Sequence, residues 1–302
     1  MLTRSIAEFR SLWPTLQPAA AGCARAAFLV TPLGFQLAAQ SASDNRYMAM
    51  DAGVDPNAAL AEHAALARRV SALLPTVCFP GDAATPDAVF PNNVFATAAG
   101  RTVIGRMRHP VRQREALRPD IRGFFRHIVG YEEVDLSAMD GAAELTGSLV
   151  IDRARGIGYC GLGERCDEAG AAAMHAAFGL RMTFCFDLAP GEYHTNVVMS
   201  VLAGRALVIA PDGFADAAVA AAIAEAYAPR TLTLDAKQKA DYAGNCIALS
   251  DDTVWMSARA AASLLPAQRA ALADWGFRVE AVELAEIEKA GGSLRCCVGE
   301  IY

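Results

Sequence analysis

One order of elements recurs along this chain. Two short β-rich segments joined by a tight turn precede an alanine-rich helical stretch, and another short strand follows. The third copy pairs "SLVIDRARGIGYCGL" with the helix "EAGAAAMHAAFG" and the strand "RMTFCF". The fourth reads "NVVMSVLAGRALVIAP", "FADAAVAAAIAEAYA" and "TLTLD"; the fifth reads "NCIALSDDTVWMSA", "AASLLPAQRAALADWG" and "RVEAVEL". The second has two strands within "NNVFATAAGRTVIGRM", a helical region near Arg112 to Leu117, and a strand around Val129 to Val134. The first runs from the strand "AAFLVTP" through the helix Pro56 to Leu74 to the strand "TVCF". In that helix Leu60, Ala64, Ala67, Val70 and Leu74 mark the predicted buried face, and His63 is expected at the surface. A period of about fifty residues signals a radial or stacked array. A doubly wound sheet is disfavoured, because it spends single parallel strands where this chain spends a hairpin before each helix.

The chain can afford such a fold without staples. Its 302 residues are 54% hydrophobic and 20% charged, enough for a large core. A formal net charge of -6 and the absence of any long Lys/Arg run argue against nucleic acid as a partner. The alanine-rich N-terminal stretch follows no apolar segment of the kind that marks a secretory leader, so a cytoplasmic address and no membrane partner are expected. Eight cysteines lie at 23, 78, 160, 166, 185, 246, 296 and 297 with no CxxC and no paired zinc spacing. Neither a disulfide framework nor a metal site is predicted.

Polar residues interrupt the apolar pattern at corresponding places, near strand ends. They form "PDAVFPNN", "MRHPVRQRE", "AELTGS", "GLGERCDEAG", "GEYHTN", Gly244-Asn245 and the terminal "GGSLRCC". In a ring of repeats such ends converge on one mouth. A thiol, an imidazole and carboxylates gathered there are the parts of a nucleophilic hydrolase. Of five histidines, His194 stands apart, set between Gly191 and Asn196 ahead of a strong β run, whereas His109 and His127 sit among basic residues without special turn chemistry. On spacing alone a loop histidine at a strand end explains His194 equally well.

Taken in order, "PDAVFPNN", "VRQRE", "GLGERCDEAG", "YHTN" and "GGSLRCC" resemble the pentein superfamily, which includes arginine deiminases, dimethylarginine dimethylaminohydrolases, amidinotransferases and citrulline-utilisation hydrolases. The resemblance covers nearly the whole chain after about residue 25. It implies an α+β fold, a single-domain five-bladed pseudo-symmetric α/β propeller of ββαβ modules, with residues 1–25 an N-terminal extension and 26–302 the catalytic domain. It also implies roles for residues. Cys296 corresponds to the nucleophile, His194 to the general acid/base and Glu144 to its acidic partner, although Leu145 replaces the glycine usual beside that acid. Cys297 falls where relatives often carry Met or a second Cys. Asp87 keeps the first carboxylate of the substrate pocket, while Asn92 and Asn93 replace a Glu-Asp pair. Arg112 and Arg165 match arginines that hold the substrate α-carboxylate, a task suited to a guanidinium fork. No cofactor is implied, and a homodimer is left open.

The asparagine pair bears on substrate. A buried guanidinium needs fixed carboxylates, whereas a neutral ureido group needs hydrogen-bond partners without charge, which Asn supplies. The exchange therefore favours a citrulline-type substrate, and "FPNN" and "GGSLRC" with the "GEI" ending resemble the citrulline-utilisation branch more closely than the dimethylargininases, although Asp87 and Glu144 keep a guanidino substrate open. The expected chemistry is attack by Cys296 on the ureido or guanidino carbon, protonation of the leaving nitrogen by His194, and hydrolysis of the covalent intermediate. On a strand, Cys296 and its neighbours would alternate faces, which leaves Arg295 without a role and turns Cys297 toward the core. An amidinotransferase would use the same thiol and histidine. A non-catalytic ring-fold binding protein fits less well because the Cys, His and acid are all present, and a papain-like protease lacks its sequence context. The polar, small-residue-rich segment Gly34 to Gly53 is the expected lid.

Overall fold

The computed structural model describes all residues from 1 to 302. Sixteen strands occur in chain order: β1 (Leu2–Thr3), β2 (Ala26–Val30), β3 (Thr76–Phe79), β4 (Phe95–Ala98), β5 (Arg101–Ile104), β6 (Glu132–Asp135), β7 (Leu149–Asp152) and β8 (Ile157–Leu162). They continue with β9 (Met182–Asp187), β10 (Met199–Leu202), β11 (Ala206–Ile209), β12 (Thr231–Thr233), β13 (Ile247–Ser250), β14 (Thr253–Ser257), β15 (Arg278–Val282) and β16 (Gly299–Ile301). They form five small sheets with one common topology, β16-β2-β3, β4-β5-β6, β7-β8-β9, β10-β11-β12 and β13-β14-β15. In each, the first two strands pair antiparallel and the last two parallel. The parallel step needs a crossover, which alanine-rich helices supply in four sheets and the short helical turns between Pro110 and Val129 supply in β4-β5-β6. The fold is mixed α/β.

Local chemistry explains the elements. Asp55 caps the helix Pro56–Ser71 by accepting from the backbone of Asn57 and Ala58, with Pro56 in the first turn. Asp167 and Asp216 do the same for Glu168–Ala177 and Ala217–Ala226. The turn between β10 and β11 has both central residues, Ala203 and Gly204, at positive φ, as a hairpin matched to strand twist requires.

Three details depart from the sequence expectations. In Pro56–Ser71 the buried residues are Ala59, His63, Leu66 and Val70, so the core face is rotated from the predicted one and His63 lies inside. Residues Phe124–Val129 are helical, and the following strand starts only at Glu132. Leu294–Cys297 is a single helical turn, not part of a strand, because Cys296 N–H donates back to Ser293 O at 2.9 Å and ladder pairing starts at Gly299. The first sheet draws its opening strand, β16, from the far end of the chain, so one apolar cluster holds Ala27, Leu29 and Leu66 together with Leu294, Cys297 and Val298. Residues 1–25 are packed against the rest: β1 adds to the edge of β9, and Phe9 is fully buried, stacked on Phe184 with centroids 4.5 Å apart. No helix is long and apolar enough to cross a membrane.

Candidate active site

Each sheet's first strand is entered through a tight turn, and these turns carry the polar residues inward. Glu144, His194 and Ser293 stand directly before the one-turn helices Leu145–Ser148, Thr195–Val198 and Leu294–Cys297, which lead into β7, β10 and β16. Asn92 and Asn93 lie in the turn Pro91–Asn93 before β4, and Asn245 lies just before β13. Five equivalent strand entrances thus deliver side chains to one place.

The centre of that place is buried. Glu144 and His194 have no exposed surface, and Glu144 Oε2 lies 2.8 Å from His194 Nε2. Glu144 Oε1 accepts the Arg108 backbone N–H at 3.0 Å, and Arg165 Nη1 is 3.5 Å from Oε2. Burial works to raise the Glu144 carboxyl, but Arg165 and His194 outweigh it and hold it well below the usual carboxylate range. For His194, burial is the largest influence and pushes the imidazole down against the pull of Glu144. A neutral ring that donates from Nε2 to the carboxylate leaves Nδ1 as a base, and Nδ1 has no protein partner. The ring fits only because residue 147 is glycine: a Cβ there would stand 2.7 Å from His194 Cε1. Leu145, at the position where the resemblance expects glycine, holds φ at 24°, a left-handed backbone that glycine adopts without strain. Glu144 keeps its place despite that exchange.

Cys296 receives side-chain N–H groups at sulfur, from Asn245 Nδ2 at 3.3 Å and Asn196 Nδ2 at 3.9 Å. Burial raises its thiol pKa, opposed by hydrogen bonds from the Ser293 backbone and Asn245 and by the charges of Arg295 and Arg112. The resting site therefore pairs a protonated thiol with a neutral imidazole. Arg295 turns away to Glu300 at 2.9 Å. Cys297 has no exposed surface and sits in the apolar cluster.

Asp87, Asn93, Arg112, Arg165 and Cys296 line one cavity of about 20 Å³, together with Ser41, Asn45 and Tyr193. That is room for about one water molecule and not for an amino acid. Asn92 is buried beside Asn93, and both of its side-chain polar atoms lack a partner, as do Asn93 Oδ1 and Asp87 Oδ1. Burial raises the Asp87 carboxyl despite Arg112, while its other oxygen accepts from Ser41 at 2.5 Å.

The two arginines expected to hold a substrate α-carboxylate are engaged by carboxylates of the protein itself. Arg112 meets Glu115 with Nε and Nη2, both at 2.9 Å, and donates to Phe90 O. Arg165 reaches Asp44 at 2.6 Å and lies 4.9 Å over the Tyr193 ring. A buried guanidinium without a carboxylate would carry an uncompensated charge, so the closed site supplies partners from within. Asp44 belongs to the 34–53 segment expected as a lid and also contacts His109, which is buried rather than incidental. Ser41, Asp44, Tyr193, Asn196 and Asn245 were not singled out as site residues in the sequence. Only the polar character of 34–53 and the placement of "GEYHTN" and Gly244-Asn245 at strand entrances pointed toward them.

Residues 31–302 match the family described as N,N dimethylarginine dimethylhydrolase, eukaryotic. A dimethylarginine dimethylaminohydrolase from Mycobacterium tuberculosis (strain ATCC 25618 / H37Rv) is 28% identical over 219 residues, covering 72% of this chain and 67% of its own length. Among solved structures, the N-terminal domain of ArgZ, a cyanobacterial arginine dihydrolase, crystallised as a cysteine-to-serine variant with substrate, superposes with a TM-score of 0.79 at 20% identity, covering 91% of this chain and 97% of that one. A dimethylarginine dimethylaminohydrolase adduct with 4-chloro-2-hydroxymethylpyridine gives 0.70 at 21% identity, covering 92% and 100%. The two structures show a shared pentein fold. The chain belongs to the dimethylarginine dimethylhydrolase family, within the pentein superfamily of guanidino-group-modifying enzymes. It is a hydrolase of carbon–nitrogen bonds other than peptide bonds.

Proposed function

We propose that this enzyme hydrolyses the ureido or guanidino group of an arginine-derived amino acid through a covalent intermediate on Cys296, with citrulline-type hydrolysis the favoured reaction. The observation that carries this is Asn93, a neutral side chain that lines the Cys296 cavity with its Oδ1 unpartnered, supported by the unpartnered Asn92 next to it in the chain and by the His194–Glu144 pair. The Cys296 proton passes to the free His194 nitrogen as sulfur adds to the ureido carbon. The carbon–nitrogen bond to the amino-acid chain then breaks, and the imidazolium protonates the departing amine, which leaves as ornithine. Water, deprotonated by the same histidine, hydrolyses the S-carbamoyl group. Glu144 holds the ring and stabilises its charged form. The covalent step is in keeping with a variant of the ArgZ N-terminal domain crystallised covalently bound to a reaction intermediate.

A guanidino substrate is the second reading, favoured by Asp87 Oδ1, a buried carboxylate oxygen without a partner. Dimethylarginine or arginine deimination would follow from it. The name arginine dihydrolase given to the ArgZ neighbour unites both readings, since arginine hydrolysed twice at one carbon passes through a ureido stage. An amidinotransferase would need an acceptor amine, which time courses with and without glycine would expose.

The supporting framework is also proposed: the five sheets act as blades about one axis, residues 26–302 form the catalytic unit, and residues 1–25 are an extension docked on β9. Substrate α-carboxylate is held by Arg165, freed once the 34–53 segment opens and withdraws Asp44, and by the Arg112 nitrogen that Glu115 does not engage. A cytoplasmic setting fits such a metabolite. Incubation with citrulline, arginine, methylated arginines and agmatine, followed by mass spectrometry, tests the reading. Ornithine from citrulline alone supports it; turnover of methylarginine to citrulline would overturn it.

A further inference from the structure

Three of the eight cysteines meet in the chain's third sheet, in an apolar cluster distinct from the one that holds Cys296. Cys160 lies on β8, Cys185 on β9 and Cys166 just after β8. Cys160 and Cys185 are register partners, so their side chains leave the same face of the sheet. Cys160 and Cys166 bring their sulfurs within 3.5 Å. All three belong to an otherwise apolar cluster, and no group of residues here is arranged to hold a metal ion. All three are buried, but Cys185, at 5% exposure, also lines an outer cavity of about 280 Å³ together with Leu2, Thr3, Arg4, Glu168 and Ala171. Arg4 places its guanidinium there, braced by Glu168 at 3.0 Å and Asp187 at 2.5 Å.

We infer that this cluster is a modification site that takes up a small peroxide at Cys185 and converts it into a Cys160–Cys185 disulfide. Cys185 thiolate attacks one peroxide oxygen, and the oxygen–oxygen bond breaks to give Cys185 sulfenic acid and hydroxide, which becomes water on protonation. The Cys160 thiol then displaces the second water, so two thiols are oxidised and one hydrogen peroxide is reduced to two waters. Geometry permits the bond. Paired strands run about 4.8 Å apart, inside the Cα separation of about 4.4–6.8 Å that disulfides span. The electrostatics run the same way. Cys185 is pushed below an ordinary thiol, chiefly by the neighbouring Cys160 thiol, with burial and the Glu168 charge opposing and Arg4 assisting. Cys296, Cys246 and Cys78 are all pushed up by burial. Cys166, whose sulfur lies 3.5 Å from that of Cys160 and which also donates toward Asp167 O, is the competing partner that the mapping must separate.

The inference does not rest on the proposed activity and is tested without substrate. The reduced full-length protein is treated with limiting hydrogen peroxide, quenched with N-ethylmaleimide and mapped by mass spectrometry without reduction. The expected product is the Cys160–Cys185 peptide pair, about 2 Da lighter than the sum of its free peptides, formed equally in C296S. In C160S, Cys185 should accumulate as sulfenic acid trapped by dimedone. In the unmodified protein, limiting iodoacetamide should label Cys185 at least about tenfold faster than Cys246. Oxidation confined to Cys78 or Cys296 with Cys185 still free, or a Cys160–Cys166 disulfide in its place, would overturn the assignment.

Discussion

Gly147 shows how one missing atom permits the chemistry. A Cβ at this position would meet His194 Cε1 at 2.7 Å and both ring nitrogens at 2.8 Å, with no flexible end to yield. Gly147→Ala should therefore displace the imidazole from Glu144 and lower turnover by at least about 100-fold, while the melting temperature falls only by the few degrees of a local overpacking. Turnover at the wild-type level would show that His194 is not placed as proposed. The cysteine pair divides in the same way. Cys296 lines the cavity and accepts from Asn245, whereas Cys297 lines no cavity described and its side chain makes no hydrogen bond. Cys296→Ala should abolish product formation with the fold intact. Cys297→Ala should keep activity within a few-fold at a stability loss of about 1–2 kcal/mol. Loss in Cys297→Ala with retention in Cys296→Ala would exchange their roles.

At the scale of elements, strands and helices followed from periodicity because hairpin and helix differ sharply in their repeat. The helix Pro56–Ser71 shows where that reading fails. Alanine contributes little contrast between faces, and a histidine is ordinarily assigned outward, so a face built from Ala59, His63, Leu66 and Val70 is hard to see. The turn Leu294–Cys297 was equally hidden, since one turn closed by backbone bonds leaves no periodic trace. Motif order singled out Cys296, His194 and Glu144 as candidates, and folding sets His194 against Glu144, but the Asp44–Arg165 and Arg112–Glu115 pairs depend on folding and on the requirement that buried charge be compensated. His63 carries a measurable consequence. It is 3% exposed, its Nε2 has no partner, and burial pushes the imidazole down to about 4. An unfolded histidine takes its proton near pH 6.5 and the folded one only near 4, so the unfolded chain binds more protons between these values. Stability is fully present above about 6.5 and falls as pH drops through the window, by about 3 kcal/mol from this residue. His63→Leu should flatten urea-midpoint profiles between pH 6.5 and 4, leaving His194 as a remaining acid-sensitive group. An unchanged acid slope would remove His63 as a cause.

Across the whole molecule, the two chain regions meet at β16 and β2, and this seam holds the Cys296 turn in register with the other strand entrances. Gly299 pairs with Phe28, Glu300 with Ala27 and Ile301 with Ala26. Thr97 ties the same strand to β4, donating to Glu300 O at 2.9 Å and accepting the Tyr302 N–H at 3.0 Å. The tightest point is Gly299, where a Cβ would stand 2.1 Å from Phe28 Cε1. Phe28 is itself fully buried and set edge-on against Phe79 and Phe125, so its ring cannot step aside without disturbing a second cluster. Gly299→Ala should cost about 1–3 kcal/mol through overpacking and reduce activity as well, because the Cys296 turn leads into this strand two residues earlier. The mechanism predicts a specific rescue. Phe28→Leu alone destabilises by leaving a cavity, but with Gly299→Ala it vacates the space the new methyl needs, so the double variant should be more stable than the sum of the two losses by about 1 kcal/mol or more. Denaturation of the four proteins followed by fluorescence, with turnover measured alongside, gives the coupling. Strict additivity would mean that the seam is loosely packed and that Cys296 is held in place by its own turn alone.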